Sequence, residues 1–116
     1  MRLTLLKCKL HRATVTGADL NYEGSIGLGP ELIAAAGLRP FERVEIYNIH
    51  NGERFATYVI EGKAPGEVCL NGAAARLVHP GDLVIICSYA DFEEREASDH
   101  RPRVVLLGPG NAILPR

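Results

Sequence analysis

The sequence predicts a small, mainly β domain: a closed barrel with two short helices. Two observations lead there. Apolar residues fall in many short runs, several of them alternating with polar residues as a half-buried strand requires. Glycine, proline and asparagine break those runs at short intervals, and the 116 residues include 12 glycines and 7 prolines. Many short strands with two short helices fit a small barrel. The chain is long enough for one domain with a real core, and no repeat or low-complexity segment divides it.

The elements follow in order. Residues 3–16 read as a strand. Leu3, Leu5, Lys7, Lys9, His11, Ala13 and Val15 share one face, and Thr4, Leu6, Cys8, Leu10 and Arg12 the other. Residues 17–29 carry four glycines and read as a loop, with room for a short strand before Gly24. Pro30 opens a short helix through Ala36, because proline suits a first helical position, and Gly37 stops it. Residues 44–49 form a strand, Asn51-Gly52 turns the chain, and residues 54–60 return. Residues 68–70 form a brief strand. Asn71 is placed to cap a short helix over residues 73–78, which ends at His79-Pro80-Gly81-Asp82. Residues 83–88 form a buried strand and residues 91–102 are charged and exposed. Residues 104–107 form a last strand, and Gly108-Pro109-Gly110 starts a loose tail.

Composition narrows the function. Hydrophobic residues make up 47%, as in globular proteins, and the net charge of -1 offers nothing to nucleic acid or an anionic membrane surface. No apolar run approaches the roughly 18 residues of a membrane span. The apolar stretch at the amino terminus meets Lys7 too soon for a signal-peptide core. Three cysteines, Cys8, Cys69 and Cys87, make an odd set in no framework spacing, so free thiols in a cytoplasmic setting are expected.

The most informative step is Gly24-Ser25, within Tyr22-Glu23-Gly24-Ser25-Ile26-Gly27. A serine hydroxyl can attack the preceding carbonyl and convert the amide to an ester. Glycine at that carbonyl has no Cβ in the way. β-Elimination of the ester cuts the chain and leaves dehydroalanine. Hydrolysis of dehydroalanine releases ammonia and leaves a pyruvoyl group on the new amino terminus. Its ketone is an electron sink for amine substrates. Taken alone, the dipeptide reads as an ordinary turn.

Six segments give it a context. They are Lys9-Leu10-His11-Arg12, Ala18-Asp19-Leu20-Asn21-Tyr22-Glu23-Gly24-Ser25, Ala35-Ala36-Gly37, Asn51-Gly52-Glu53-Arg54-Phe55-Ala56-Thr57-Tyr58, Asn71-Gly72-Ala73-Ala74-Ala75 and Pro80-Gly81-Asp82-Leu83-Val84-Ile85-Ile86. In this order, over residues 1–107, the chain resembles the pyruvoyl-dependent aspartate 1-decarboxylase family. The resemblance implies a six-stranded double-psi β-barrel assembled as a homotetramer. It implies one domain over residues 1–116, self-cleaved into a β chain (1–24) and an α chain (25–116). It also implies a covalent pyruvoyl cofactor made from Ser25, with no metal. That group would form a Schiff base with L-aspartate and release carbon dioxide and β-alanine for pantothenate and coenzyme A. Whether a maturation factor assists is left open. Two positions depart from some relatives: Ile26 stands where they have cysteine, and Tyr47 where they have tryptophan.

The candidate site residues follow. Ser25 is the cofactor precursor and Gly24 the other side of the cut. Arg54 offers a guanidinium for a substrate carboxylate, or else is a solvated hairpin arginine. Tyr58 shares its strand face, four residues on. Phenols are protonated near neutral pH, and the resemblance gives Tyr58 the proton-donor role; the alternative is a packed sheet tyrosine. Thr57 points to the opposite face, yet the resemblance implies that it contacts substrate and aids processing. It could do so by stabilising charge on the Gly24 carbonyl, with a neighbouring subunit reconciling the geometry. Lys9 would help neutralise a dianionic substrate, or is an edge charge. His11 assists proton transfer or is structural. Asn71 starts the helix whose Gly72, Ala73 and Ala74 the resemblance places against substrate, where small side chains and free N–H groups suit a carboxylate. Tyr22 and Glu23 flank and position the cut.

Three rivals compete. The four histidines and three cysteines give no close pair of metal ligands. No serine sits in a hydrolase elbow, since Ser25 lies in Glu-Gly-Ser-Ile-Gly. A non-catalytic barrel that never cleaves is the serious rival, because one fold hosts many functions.

Overall fold

The computed structural model describes residues 1–116. The protein is mainly β, as the alternating runs predict. Its eight strands are β1 (Arg2–Thr14), β2 (Gly17–Asp19), β3 (Ser25–Leu28), β4 (Arg43–Asn48), β5 (Arg54–Glu61), β6 (Val68–Asn71), β7 (Leu83–Glu93) and β8 (Arg103–Leu106). The helices are α1 (Pro30–Ala36) and α2 (Glu94–Ala97), with 3₁₀ turns at Gly72–Leu77 and Pro109–Asn111. The strands form one row in the order β2-β6-β3-β5-β4-β7-β1-β8. That is eight strands where six were expected.

The row mixes parallel and antiparallel neighbours. β3 and β5 run parallel, as do β1 with β8 and β2 with β6. The remaining pairs are antiparallel. Only Val15 and Thr16 separate β1, near one end of the row, from β2 at the other. Three Cα steps span at most about 11 Å, so the sheet curls to bring β1 near β2. Thr16 fastens this crossing. Its N–H donates to the Val68 carbonyl at 2.8 Å, and its hydroxyl accepts from Val68 N–H at 2.9 Å. Inside the curl lies one core, with Leu10, Ile26, Leu28, Leu32, Ile46, Val59, Leu70 and Ile86 each no more than 1% exposed.

β1 departs from simple alternation. Its register against β7 shifts between Leu6 and Cys8 and again between Leu10 and Ala13. Arg12 takes φ 62, the left-handed geometry of a bulge. The bulge moves the inward set from Cys8 and Leu10 to Ala13 and Val15, so the two faces expected for residues 3–16 exchange at His11-Arg12. The turn between β4 and β5 also differs. Asn48 N–H donates to the Glu53 carbonyl at 2.9 Å, closing a loop of residues 49–52. The Asn48 carboxamide oxygen accepts from His50 N–H, and that of Asn51 from Glu53 N–H. These side chains extend the turn beyond Asn51-Gly52 and set Tyr47 opposite Arg54.

Pro30 and Gly37 bound α1 as expected, with Gly37 in the left-handed conformation. β2 is the short strand allowed before Gly24, but β3 falls where the sequence predicts loop. Gly27 within it and Gly24 and Gly29 on either side suggest a turn, and its pairing on both edges, with β5 and β6, overrides that local signal. β7 runs on to Glu93, five residues past the expected end, because β1 pairs with it throughout. The tail is not loose. Asn111 is 2% exposed and its side chain bonds to Thr14 N–H, the Thr14 carbonyl and the Gly66 carbonyl.

Candidate active site

β3 begins at Ser25 and meets β5 only from Val59 onward. Before Val59, the edge of β5 away from β4 therefore faces no strand. It borders a cavity of about 380 Å³ lined by Gly24, Phe55, Ala56, Thr57, Tyr58, Asn71, Ala73, Ala74 and Leu77. Six residues singled out in the sequence thus converge: Gly24, Thr57, Tyr58, Asn71, Ala73 and Ala74. Thr57 and Tyr58 point to opposite faces, yet both border the cavity because it lies along their free backbone edge. No second subunit is needed to bring these two together.

Ser25 sits behind Gly24 and is 1% exposed. Its hydroxyl donates to the Glu23 carbonyl at 3.0 Å and accepts from the Asn71 carboxamide Nδ2 at 3.0 Å. Antiparallel pairing places Ser25 directly opposite Asn71. This corrects the role expected of Asn71. It makes no side-chain cap, and the helix after it is a 3₁₀ turn, because the carboxamide is committed to Ser25 across the sheet. Gly72 lies against the scissile segment. Its φ is +67, and a Cβ there would stand 2.7 Å from the Gly24 Cα. Gly24 itself is open, since a Cβ on it would meet nothing within 4 Å. In this conformation the need for glycine lies at residue 72 more than at residue 24. Tyr22 is exposed and borders a neighbouring hollow with Asp19, Cys69 and Asn71.

Arg54 and Lys9 lie elsewhere. The Arg54 guanidinium stacks on the Tyr47 ring, 3.9 Å from its centroid, and the Tyr47 hydroxyl shares a 2.8 Å hydrogen bond with Tyr89. That hydrogen bond, with burial, holds the Tyr89 phenol far above its ordinary value. Lys9 pairs across the sheet with Cys87. Burial pushes the Cys87 thiol up, against the opposing hydrogen bond of Tyr89 and charges of Lys9 and Arg54. Lys9 and Arg54 therefore gather on one outer face, apart from the Gly24 cavity. Tyr58, on the Arg54 side of β5, also meets Phe41 at 6.4 Å between ring centroids. His11 has a buried Nδ1 without a partner, and burial, then Lys9 and Arg12, lower its pKa.

The family model described as aspartate decarboxylase matches residues 1–114. The chain belongs to the aspartate decarboxylase family. An aspartate 1-decarboxylase of Bdellovibrio bacteriovorus is 60% identical over 113 residues, covering 97% of this chain and 90% of the relative. That of Ralstonia pickettii is 57% identical over 114 residues, covering 97% and 95%. That of a Hydrogenobaculum species is 56% identical over 114 residues, covering 98% and 90%.

Within this family member, Phe55, Ala56 and Leu77 line the cavity unforeseen. Phe55 and Ala56 were visible as neighbours of Arg54, but Leu77 carried no signal. Tyr89 was equally hidden, since its phenol meets that of Tyr47 only across the β4–β7 pairing, where the register sets Tyr47 opposite Ile85. No three His, Cys, Asp or Glu side chains are grouped to hold a metal ion, and the three cysteines are free. No helix is long and apolar enough to cross a membrane.

Proposed function

We propose that this chain is an aspartate 1-decarboxylase that matures by cutting itself between Gly24 and Ser25. The mature enzyme would convert L-aspartate to β-alanine and carbon dioxide, feeding pantothenate and coenzyme A synthesis. Beyond family membership, one observation carries the reading. A buried serine hydroxyl, held by two hydrogen bonds, lies directly behind the Gly24 that borders a cavity.

The residues fit a pyruvoyl group made from Ser25. Residue 25 begins β3 and is held by its ladder, so a new amino terminus there stays in place beside the cavity. The pyruvoyl group supplies the electron sink for an amine substrate. Around it, Ala73 and Ala74 leave room for the substrate, and Gly72 admits the chain before the cut. Thr57 contacts the substrate, and before that the Gly24 carbonyl. The Tyr58 phenol returns the proton to the carbon that loses its carboxylate.

Arg54 and Lys9 hold carboxylate charge in this reading, with His11 beside them. Since they stand on the outer face of a single chain, the active assembly is a homotetramer in which that face meets a neighbour's cavity. Free thiols suit a cytoplasmic enzyme. A maturation factor could set the speed of the cut.

Intact mass under denaturing conditions tests the proposal. The expected result is a residue 1–24 peptide and a residue 25–116 chain about 17 Da lighter than a serine-started chain, because ammonia has been lost. Ser25→Ala is expected to remain one inactive chain. Cleavage or β-alanine formation in that variant would refute the mechanism. Wild-type protein that stays uncut, even with cell extract, would favour the non-catalytic barrel.

A further inference from the structure

Cys69 and Asn71 lie two residues apart on β6 and so project to one face. The Cys69 thiol donates to the Asn71 Oδ1 at 3.4 Å, while the Asn71 Nδ2 donates to the Ser25 Oγ at 3.0 Å. The Ser25 hydroxyl in turn donates to the Glu23 carbonyl at 3.0 Å. We infer that Cys69 is a positioning residue for self-cleavage: its thiol fixes which end of the Asn71 carboxamide meets the Ser25 hydroxyl. The inference rests on the cleavage proposed above and names a residue for which that proposal has no role.

A carboxamide has nearly the same shape either way round but opposite hydrogen-bonding sense at its two ends. With Nδ2 toward Ser25, the serine oxygen accepts and its own proton goes to Glu23. With the carboxamide reversed, Oδ1 would face the serine and draw that proton away from Glu23. The oxygen about to attack would then sit in a different rotamer and a different field. Ser25 is 1% exposed and Asn71 5%, so water does little to even out the two states. The neighbour that distinguishes them is Cys69, since a thiol donates to an oxygen more readily than it accepts from an N–H.

Two further observations fit. The thiol is kept protonated, and so a donor, because burial and then the charges of Glu67 and Asp19 push it up. Its flanks are cleared for it. Cys69 pairs with Gly17 on β2 and with Gly27 on β3, and the sulfur lies 3.4 Å from where a Gly17 Cβ would be. A thiol, larger than a hydroxyl, thus fits beside Asn71 without displacing it.

The test is the rate at which the full chain is cut during expression, followed by pulse-labelling, in wild type, Cys69→Ser, Cys69→Val and Cys69→Ala. Serine keeps a donor; valine fills the space, with slightly more bulk, and has no donor; alanine loses both donor and bulk. The expected result is a rate near wild type for serine and a rate about five- to tenfold lower for valine and alanine. Melting temperatures should show that all variants fold. Equal rates in all four chains overturn the inference, and so does equal slowing of all three variants, which would mean that only shape matters. If wild type is cut and the donor-free variants keep pace, this inference alone fails. If wild type is never cut, the proposed function fails and takes this inference with it.

Discussion

Gly72 and Gly24 touch so closely that a single added carbon would not fit: a Cβ on Gly72 would lie 2.7 Å from the Gly24 Cα and 2.8 Å from its nitrogen. Both neighbours are backbone atoms, which cannot swing aside as a side chain could. The φ of +67 at Gly72 adds strain for any other residue. Gly72→Ala is therefore expected to cost about 1–3 kcal/mol and to unseat the segment that carries the cut. Thermal melting and the fraction cut over time check this. Unchanged melting and cleavage would mean that the segment moves freely relative to the 3₁₀ turn.

Tyr58→Phe separates the two stages of the chemistry. The phenol borders the same cavity as Gly24, but no hydrogen bond joins it to Ser25. The variant is expected to cut normally and to lose β-alanine formation by about 10²-fold or more. Intact mass and a product assay, run on one preparation, report both. Near-normal turnover would remove Tyr58 as the essential proton donor.

Arg54→Ala should lower kcat/KM for aspartate by about tenfold or more while leaving fold and cleavage intact. The guanidinium is exposed and stacks on Tyr47, so its loss leaves no buried partner unsatisfied. Arg54→Lys is expected to recover little, because a lysine lacks the planar fork that binds a carboxylate through two bonds. Unchanged steady-state kinetics in both variants would take Arg54 out of substrate binding.

A separate prediction concerns acid stability. Burial would raise the Glu42 carboxyl, but hydrogen bonds from Lys7 and Ser88, the Lys7 charge and the Arg39 N–H outweigh it and hold it below the ordinary 4.5. Lys7 Nζ lies 2.8 and 3.0 Å from the two oxygens. A carboxyl lowered in the folded state contributes stability above its unfolded value, and loses it as pH falls through the folded one. Melting temperature should fall as pH drops below about 4.5, and Glu42→Gln should flatten that fall while lowering stability near pH 7. Parallel acid limbs for the two proteins would mean that other carboxyls govern the slope.

Most of the fold was legible because its signals are local. Pro30 and Gly37 mark α1 by their own backbone geometry. Alternation marks β1, β4 and β5 over a few residues each. Gly24-Ser25 and the six segments that include it carried the family resemblance, and the match over residues 1–114 supports it. What misled was also local. The glycines of residues 17–29 hid β3, Gly108-Pro109-Gly110 hid the anchoring of Asn111, and Asn71 looked like a cap because asparagine before a small-residue helix usually is one.

The amino-acid sequence by itself determined the strand-rich class, the ends of α1 and the hairpin, since each depends on neighbours a few positions away. Tertiary structure alone decided where the hydrogen bonds of Asn71 and Asn111 go. Asn71 meets Ser25 from 46 residues away, and Asn111 meets Thr14 from 97. It also decided that Tyr58 borders the Gly24 cavity while Arg54, four residues earlier, stacks on the outer face. Such partners are chosen by strand order and register, and those are set by burying one shared core, which no local run of residues encodes.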